Sequence, residues 1–306
     1  MMKRLRDRIR GFGPAAQYFA WRGVSAVVGR LPLRVAYGVA AALGTAGYYT
    51  WPRGRRSMLA NYAVVLPGAS KAERERVARQ SLVNYCRYLV DFIRFPRATP
   101  ADVSASVGGA PEYERLAREM EGGRGVVVVC MHFGNWDAGA GATAARGFPV
   151  SVVAETFGDA RLDGMVVGAR ERLGMRVLKL ESAGPSLLRV LKKGEVLALL
   201  VDRPLEGEGV RVPFFGREIE VPAGPARLAL RTGAKVLPTA FPRIVRGRAE
   251  FETWCDWGIE LPDSGDAAEN VRLLTAQIVA AHERFIRERP DQWYMFRRMW
   301  PERRGT

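Results

Sequence analysis

The chain has 306 residues, 48% hydrophobic and 26% charged, which is a globular composition long enough for one large α/β domain or one such domain with a helical annex. A net charge of +15 points to a polyanionic partner: nucleic acid, an anionic membrane surface or a phosphorylated substrate. Three cysteines (Cys86, Cys130, Cys255), without CxxC or Cys/His ligand spacing, argue against a disulfide scaffold or a zinc site and suit a reducing compartment.

The first hundred residues read as helical, and no cleavable signal peptide is evident in "MMKRLRDRIRG". Residues 14–30 are apolar with Arg22 and Arg30 interleaved, and "LP" at 31–32 breaks the chain. The next stretch, "VAYGVAAALGTAGYYTW" (35–51), carries no charge. It falls short of the roughly 20 strongly apolar residues that a spanning helix needs. Tyr48, Tyr49 and Trp51 gather at its end, before Arg53, Arg55 and Arg56, and aromatics beside cations suit a headgroup layer. These features predict a helix lying in or dipping into one leaflet, with a buried core helix as the alternative. A further helix is predicted over about 55–66, stopped by Pro67-Gly68. Another covers 69–95, opened by Ser70 with Glu73 three residues on, a capping-box pattern.

From about residue 124 short β-branched runs alternate with helical stretches. Strands are predicted at 126–130, 150–154, 176–180 and 196–201, and helices at 136–146, 160–173 and 184–193. A helix at 224–232 is followed by strands at 236–241 and 249–254, and a long helix covers about 267–288. This order predicts an α/β fold: a mixed, largely parallel sheet flanked by helices. The predicted division is 1–100, an N-terminal helical region that associates with the membrane interface, and 101–306, the α/β core.

The chemistry concentrates in "VVVVCMHFGNWD" (126–137). His132 is one of only two histidines and sits just past a strand end, where open α/β sheets bind ligands. Asp137 should fall in the first turn of the next helix, from where a carboxylate can return to the imidazole. A carboxylate on one ring nitrogen fixes the tautomer and leaves the other nitrogen free as a base. His282 lies within a predicted helix and is read as a solvated or packing residue. Cys130 is read as core rather than nucleophile, and no G-x-S-x-G elbow exists.

"HFGNWD" resembles the HxxxxD motif of glycerolipid-type acyltransferases, and more narrowly that of the lipid A biosynthesis acyltransferases, a group that includes the phosphatidylinositol mannoside acyltransferases. Three further blocks are similar to that group: "RRSMLANY" (55–62), the stretch 199–238 with "VPFFG" and "GPARLA", and "ERPDQWYMFRRMWP" (288–301). The resemblance covers nearly the whole chain. It implies transfer of a fatty acyl group from acyl-CoA or acyl carrier protein to a hydroxyl of a membrane glycolipid, of the phosphatidylinositol mannoside or lipid A precursor type. His132 would be the general base and Asp137 its orienter, with backbone N–H groups around Gly134–Asn135 as oxyanion donors. Relatives often carry a second acid two positions after the Asp202 equivalent; here that position is Pro204, and Glu206 takes the catalytic assignment. Asn135, Glu155, Arg170, Asp202 and Arg203 are expected to bind substrate. No metal and no cofactor beyond the acyl donor is expected.

The expected setting is peripheral, on the cytoplasmic face of the plasma (inner) membrane, as a monomer bound to an anionic surface. Transfer is expected to be direct, without an acyl-enzyme. The alternatives are an interfacial lipid hydrolase of the same fold and, with no basic–aromatic recognition motif to support it, a nucleic-acid-binding protein.

Overall fold

The computed structural model describes residues 2–182, 184–203, 209–245 and 248–300. Six helices come first: α1 (Met2–Val28), α2 (Leu33–Thr50), α3 (Pro52–Val65), α4 (Lys71–Arg94), α5 (Pro100–Ser106) and α6 (Ala110–Met120). The Ser70 capping box opens α4 as predicted, with both reciprocal hydrogen bonds formed. Helices α5 and α6 were not predicted. A second capping box, Thr99 with Asp102, starts the first of them, and Pro100 occupies its first turn.

The alternating region follows as β1 (Val126–Cys130), α7 (Trp136–Ala145), β2 (Val150–Ala154), α8 (Ala160–Glu171), β3 (Arg176–Lys179), α9 (Gly184–Lys192) and β4 (Val196–Leu200). A hairpin, β5 (Gly209–Phe214) and β6 (Arg217–Pro222), precedes α10 (Gly224–Thr232), β7 (Lys235–Ala240), β8 (Trp254–Cys255) and α11 (Ala267–Glu288). Strands β3-β2-β4-β1-β7-β8 form one sheet in that order. Its first five strands are parallel and β8 is antiparallel to β7, so the predicted mixed, largely parallel sheet is what the chain builds. The strand expected at 249–254 shrinks to two residues, while Phe251 makes only isolated bridges to Val107 and Arg243.

Strand β1 lies between β4 and β7, and a core packs on each of its faces, so all five of its residues are buried. That is why it reads as an unbroken apolar run rather than an alternating one. Val127 and Val129 join the core under α10, α11 and the hairpin, while Val126, Val128 and Cys130 face the core under α7 and α8. The N-terminal helices share the first of these cores through Tyr48, Met58, Tyr62 and Leu82. Close approach of α2 to α4 depends on Gly44, where a Cβ would sit 2.7 Å from the Val83 Cα.

The 35–51 stretch is neither wholly lipid-facing nor wholly core. Its Ala36, Tyr37, Ala40, Gly44 and Tyr48 are buried, whereas Val35, Val39 and Leu43 are exposed at four-residue spacing. Phe19, Val24 and Val27 of α1 and Tyr49 and Trp51 are exposed as well. Among the described residues no helix is long and apolar enough to cross a membrane.

His282 is a packing residue, 1% exposed, whose Nε2 donates to the Val129 carbonyl at 3.1 Å. Burial pushes its imidazole down to about 4 from an ordinary 6.5. Between these values the unfolded chain binds a proton that the folded chain refuses. Its contribution is therefore fully present above pH 6.5 and is lost as pH falls toward 4, by on the order of 3 kcal/mol. Urea unfolding of wild type and His282→Gln across this range should show a shallower pH dependence in the variant; parallel curves would contradict the buried neutral imidazole.

Candidate active site

Parallel pairing of β1 with β4 sets Cys130 opposite Leu200. The ladder continues one step, with Val201 N–H donating to the Cys130 carbonyl at 3.0 Å. One residue further the same register brings Asp202 to His132. The Asp202 carboxylate accepts from the His132 ring Nδ1 at 2.6 Å and from its backbone N–H at 2.9 Å. Asp202 is 1% exposed. Burial acts to raise its carboxyl, but the imidazole charge, the two His132 hydrogen bonds and Arg203 outweigh it, and the net direction is downward. An ionised carboxylate is acceptor-only, so it requires Nδ1–H, and in the neutral ring the base is then Nε2.

The turn after His132 is rigidly held. Gly134 has φ +64°, and a Cβ there would lie 2.1 Å from the Phe241 carbonyl oxygen, so only glycine fits. Its N–H donates to the Gln292 carbonyl at 3.0 Å, and Asn135 N–H to that of Phe241 at 2.9 Å. The Asn135 side chain caps α7 through Ala138 N–H and donates to Asp91, which also pairs with Arg243 and accepts from Tyr37. At the first turn of α7, Asp137 accepts from Arg170 Nε at 2.7 Å and from the Tyr88 hydroxyl at 2.8 Å. The His132 ring meets Trp136 edge-on, with 5.0 Å between ring centres, and Trp136 in turn lies 4.2 Å from the Tyr88 ring. A narrow, mainly apolar cavity opens beside this cluster. It runs between the sheet (Val128, Cys130, Val152, Ala198) and α7, and reaches Asp137 and Arg170.

Comparison with known proteins resolves what this geometry belongs to. Residues 14–302 match the model of the family described as bacterial lipid A biosynthesis acyltransferase. The chain belongs to this family. A phosphatidylinositol mannoside acyltransferase of Mycobacterium tuberculosis (strain ATCC 25618 / H37Rv) is 30% identical over 271 residues, covering 83% of this chain and 80% of that protein. The protein of the same name from Mycolicibacterium smegmatis (strain ATCC 700084 / mc(2)155) is 28% identical over 289 residues, covering 92% and 88%.

Within this acyltransferase the predicted residues separate into different jobs. His132 stands at the strand end as expected, but its ring partner is Asp202 rather than Asp137. The carboxylate of Asp137 is turned to Arg170 and Tyr88, because helix α7 carries it away from the ring and toward α8 and α4. Asn135 is committed to capping and to Asp91, so it does not offer its amide to substrate. The N–H groups of Gly134 and Asn135 are committed to carbonyls and are not oxyanion donors. Glu155 is exposed at the end of β2, and Arg203 follows Asp202 at the end of β4, partly buried. Glu206, like Pro204, lies outside the described residues. Sequence reading missed Tyr88, Asp91 and Arg243. Tyr88 and Asp91 lie on the predicted 69–95 helix, and a polar Tyr…Asp pair on its apolar face was the available signal. The N-terminal and C-terminal family blocks meet behind the site. Asn61 donates to the Met295 and Arg297 carbonyls, Tyr62 to those of Pro290 and Trp293, and Tyr294 N–H then donates to the His132 carbonyl at 2.7 Å.

The two acids should therefore respond differently to substitution. Asp137→Ala leaves a largely buried guanidinium unpaired and should cost about 3–5 kcal/mol in denaturant unfolding. Asp202→Asn should stay folded yet lose on the order of 10²–10⁴-fold in turnover, since an amide no longer enforces Nδ1–H. Equal stability losses with equal activity losses would contradict this division.

Proposed function

We propose that the protein moves a fatty acyl chain from a thioester, acyl-CoA or acyl carrier protein, to a hydroxyl of a membrane glycolipid of the phosphatidylinositol mannoside type. The observation that carries this reading is the buried Asp202–His132 pair just past the ends of β4 and β1, whose neighbour Trp136 lines an apolar cavity. The names of the relatives support the acceptor class. His132 Nε2 takes the proton of the acceptor hydroxyl as its oxygen bonds to the thioester carbonyl carbon. The tetrahedral intermediate collapses by breaking the C–S bond, and the imidazolium returns its proton to the leaving thiolate. Asp202 steadies the imidazolium between these steps.

The cavity beside α7 has the apolar lining an acyl chain needs, but at about 50 Å³ it has room for only a short part of one. The amide groups of Trp136 and Asp137, at the start of that helix and not engaged by any described carbonyl, are the candidate oxyanion donors. Cys130 lines the cavity, but burial first, and the Asp202 and Asp137 charges next, push its thiol up to about 12. A thiol held protonated is a poor nucleophile, which favours direct transfer in a ternary complex over an acyl-enzyme. The exposed apolar side chains of α1 and α2, with the net positive charge, support peripheral attachment to an anionic membrane; the cytoplasmic face of the inner membrane fits a thioester donor.

The test is transfer of radiolabelled palmitate from its CoA thioester to a purified phosphatidylinositol mannoside, read by thin-layer chromatography and mass spectrometry. Wild type should form the acylated glycolipid, and His132→Ala should lose at least 100-fold. Free fatty acid as the main product would favour the hydrolase instead. Intact-protein mass spectrometry with donor alone should show no acyl adduct; a stoichiometric adduct on Cys130, discharged by acceptor, would overturn the direct route.

A further inference from the structure

Two grooves lie side by side on α1, apart from the cavity beside α7, with which they share no lining residue. One, of about 620 Å³, runs between α1, the end of α4 and α8, and is lined by Arg22, Arg30, Arg97, Arg161 and Arg172. Arg161 is paired with Asp159. None of the other four forms an ion pair with a described residue. Like charges gathered without counter-ions raise the local potential and attract an anion. Arg97 reaches this groove by lying against Gly29 at the end of α1, where a Cβ would fall 1.9 Å from its Nη1. Ser25 lines the same groove, and its hydroxyl oxygen is buried without a hydrogen-bond partner among the described residues. A buried hydroxyl is ordinarily paired, so this one is a donor in wait of an acceptor.

The second groove, of about 480 Å³, runs between α1, α2 and α4 and is almost wholly apolar, lined by Val24, Val39, Leu43 and Leu89 among others. Trp21 and Ile93 line both grooves. A cationic groove and an apolar one that meet at a tryptophan match an amphiphile whose head is anionic and whose tail is a hydrocarbon chain. Indole favours such a polar–apolar boundary.

We propose that this seam binds one anionic phospholipid, with its phosphate among Arg22, Arg97 and Arg172 and an acyl chain along Val39 and Leu43. Arginine presents a fork of N–H donors to phosphate oxygens, and Ser25 supplies a further donor. The lipid is a specific ligand of the N-terminal helices, distinct from the diffuse attraction of a basic protein to a charged surface. The inference goes beyond acyl transfer and does not depend on it.

Isothermal titration and native mass spectrometry with monomeric dihexanoylphosphatidylglycerol test the assignment. One equivalent should bind saturably, and dihexanoylphosphatidylcholine should bind at least tenfold more weakly. Arg97→Gln and Arg172→Gln should each weaken binding of the anionic lipid severalfold, and Leu43→Asp should weaken both lipids. Arg172 is exposed on the turn after α8, so its variant decides the matter if Arg97→Gln disturbs the seating of α1. Unchanged affinity in Arg172→Gln, or equal affinity for the two lipids, would overturn the proposal. Displacement of the lipid by equimolar inorganic phosphate or coenzyme A would also overturn it, and would assign the arginines to a free phosphate or to the donor.

Discussion

The site depends on one carboxylate that holds a histidine at two points. Asp202 accepts from both the ring and the backbone N–H of His132, so it fixes the tautomer, the ring orientation and the path of the chain after β1 together. This grip follows from sheet register. Pairing of Val126 with Val196 propagates along the parallel strands until residue 132 faces residue 202. A one-residue slip would turn the strand's side chains to the opposite face, and both faces of β1 are packed too tightly to allow it.

Asp137, the terminal residue of the HxxxxD pattern, serves the site from behind. Its oxygens gather Arg170 from α8 and Tyr88 from α4, and the Trp136 ring that borders His132 rests on Tyr88. Asn135 does similar work one residue earlier by tying the start of α7 to the buried Asp91–Arg243 pair. The four residues from His132 to Asn135 thus make a turn in which nearly every backbone donor and polar side chain is already spent on structure. Only the imidazole Nε2 and the first amides of α7 remain for chemistry, which is how a preorganised site reserves its polar groups.

Much of the fold was legible because the physics there is local. The valine run of β1, the alternation through β4 and the Ser70 capping box each carry their signal within a few residues, and each stands at or close to its predicted bounds. Helix α5 has seven residues, too few to show a period, though the Thr99–Asp102 cap could have marked it; α6 carries Tyr113, Leu116 and Met120 at helical spacing, a signal that was there to be read. Within the site His132 was legible from its strand-end position. The partner of its ring was not, since Asp137 is five residues away in sequence and Asp202 seventy, and only strand order decides between them. The resemblance puts Asp202 among the substrate-binding residues, but without knowing that β4 rather than β2 lies next to β1, its contact with the ring cannot be deduced. The dual character of α2 also escaped a single label, because a helix can bury alanines and tyrosines on one side while showing valines and a leucine on the other.

The central claim is that Asp202 sets His132 as the Nδ1–H tautomer with a bare Nε2. The chain has two histidines, and they should be opposite tautomers, because His282 gives its Nε2–H to a backbone carbonyl. Long-range ¹H–¹⁵N correlation spectra of protein labelled at histidine, recorded above pH 8, resolve this directly. The account predicts one Nε2–H ring that survives in Asp202→Asn, and one Nδ1–H ring that is absent from that variant and from His132→Ala. An Nε2–H signal from His132 in the wild-type protein, or a spectrum indifferent to Asp202, would contradict it.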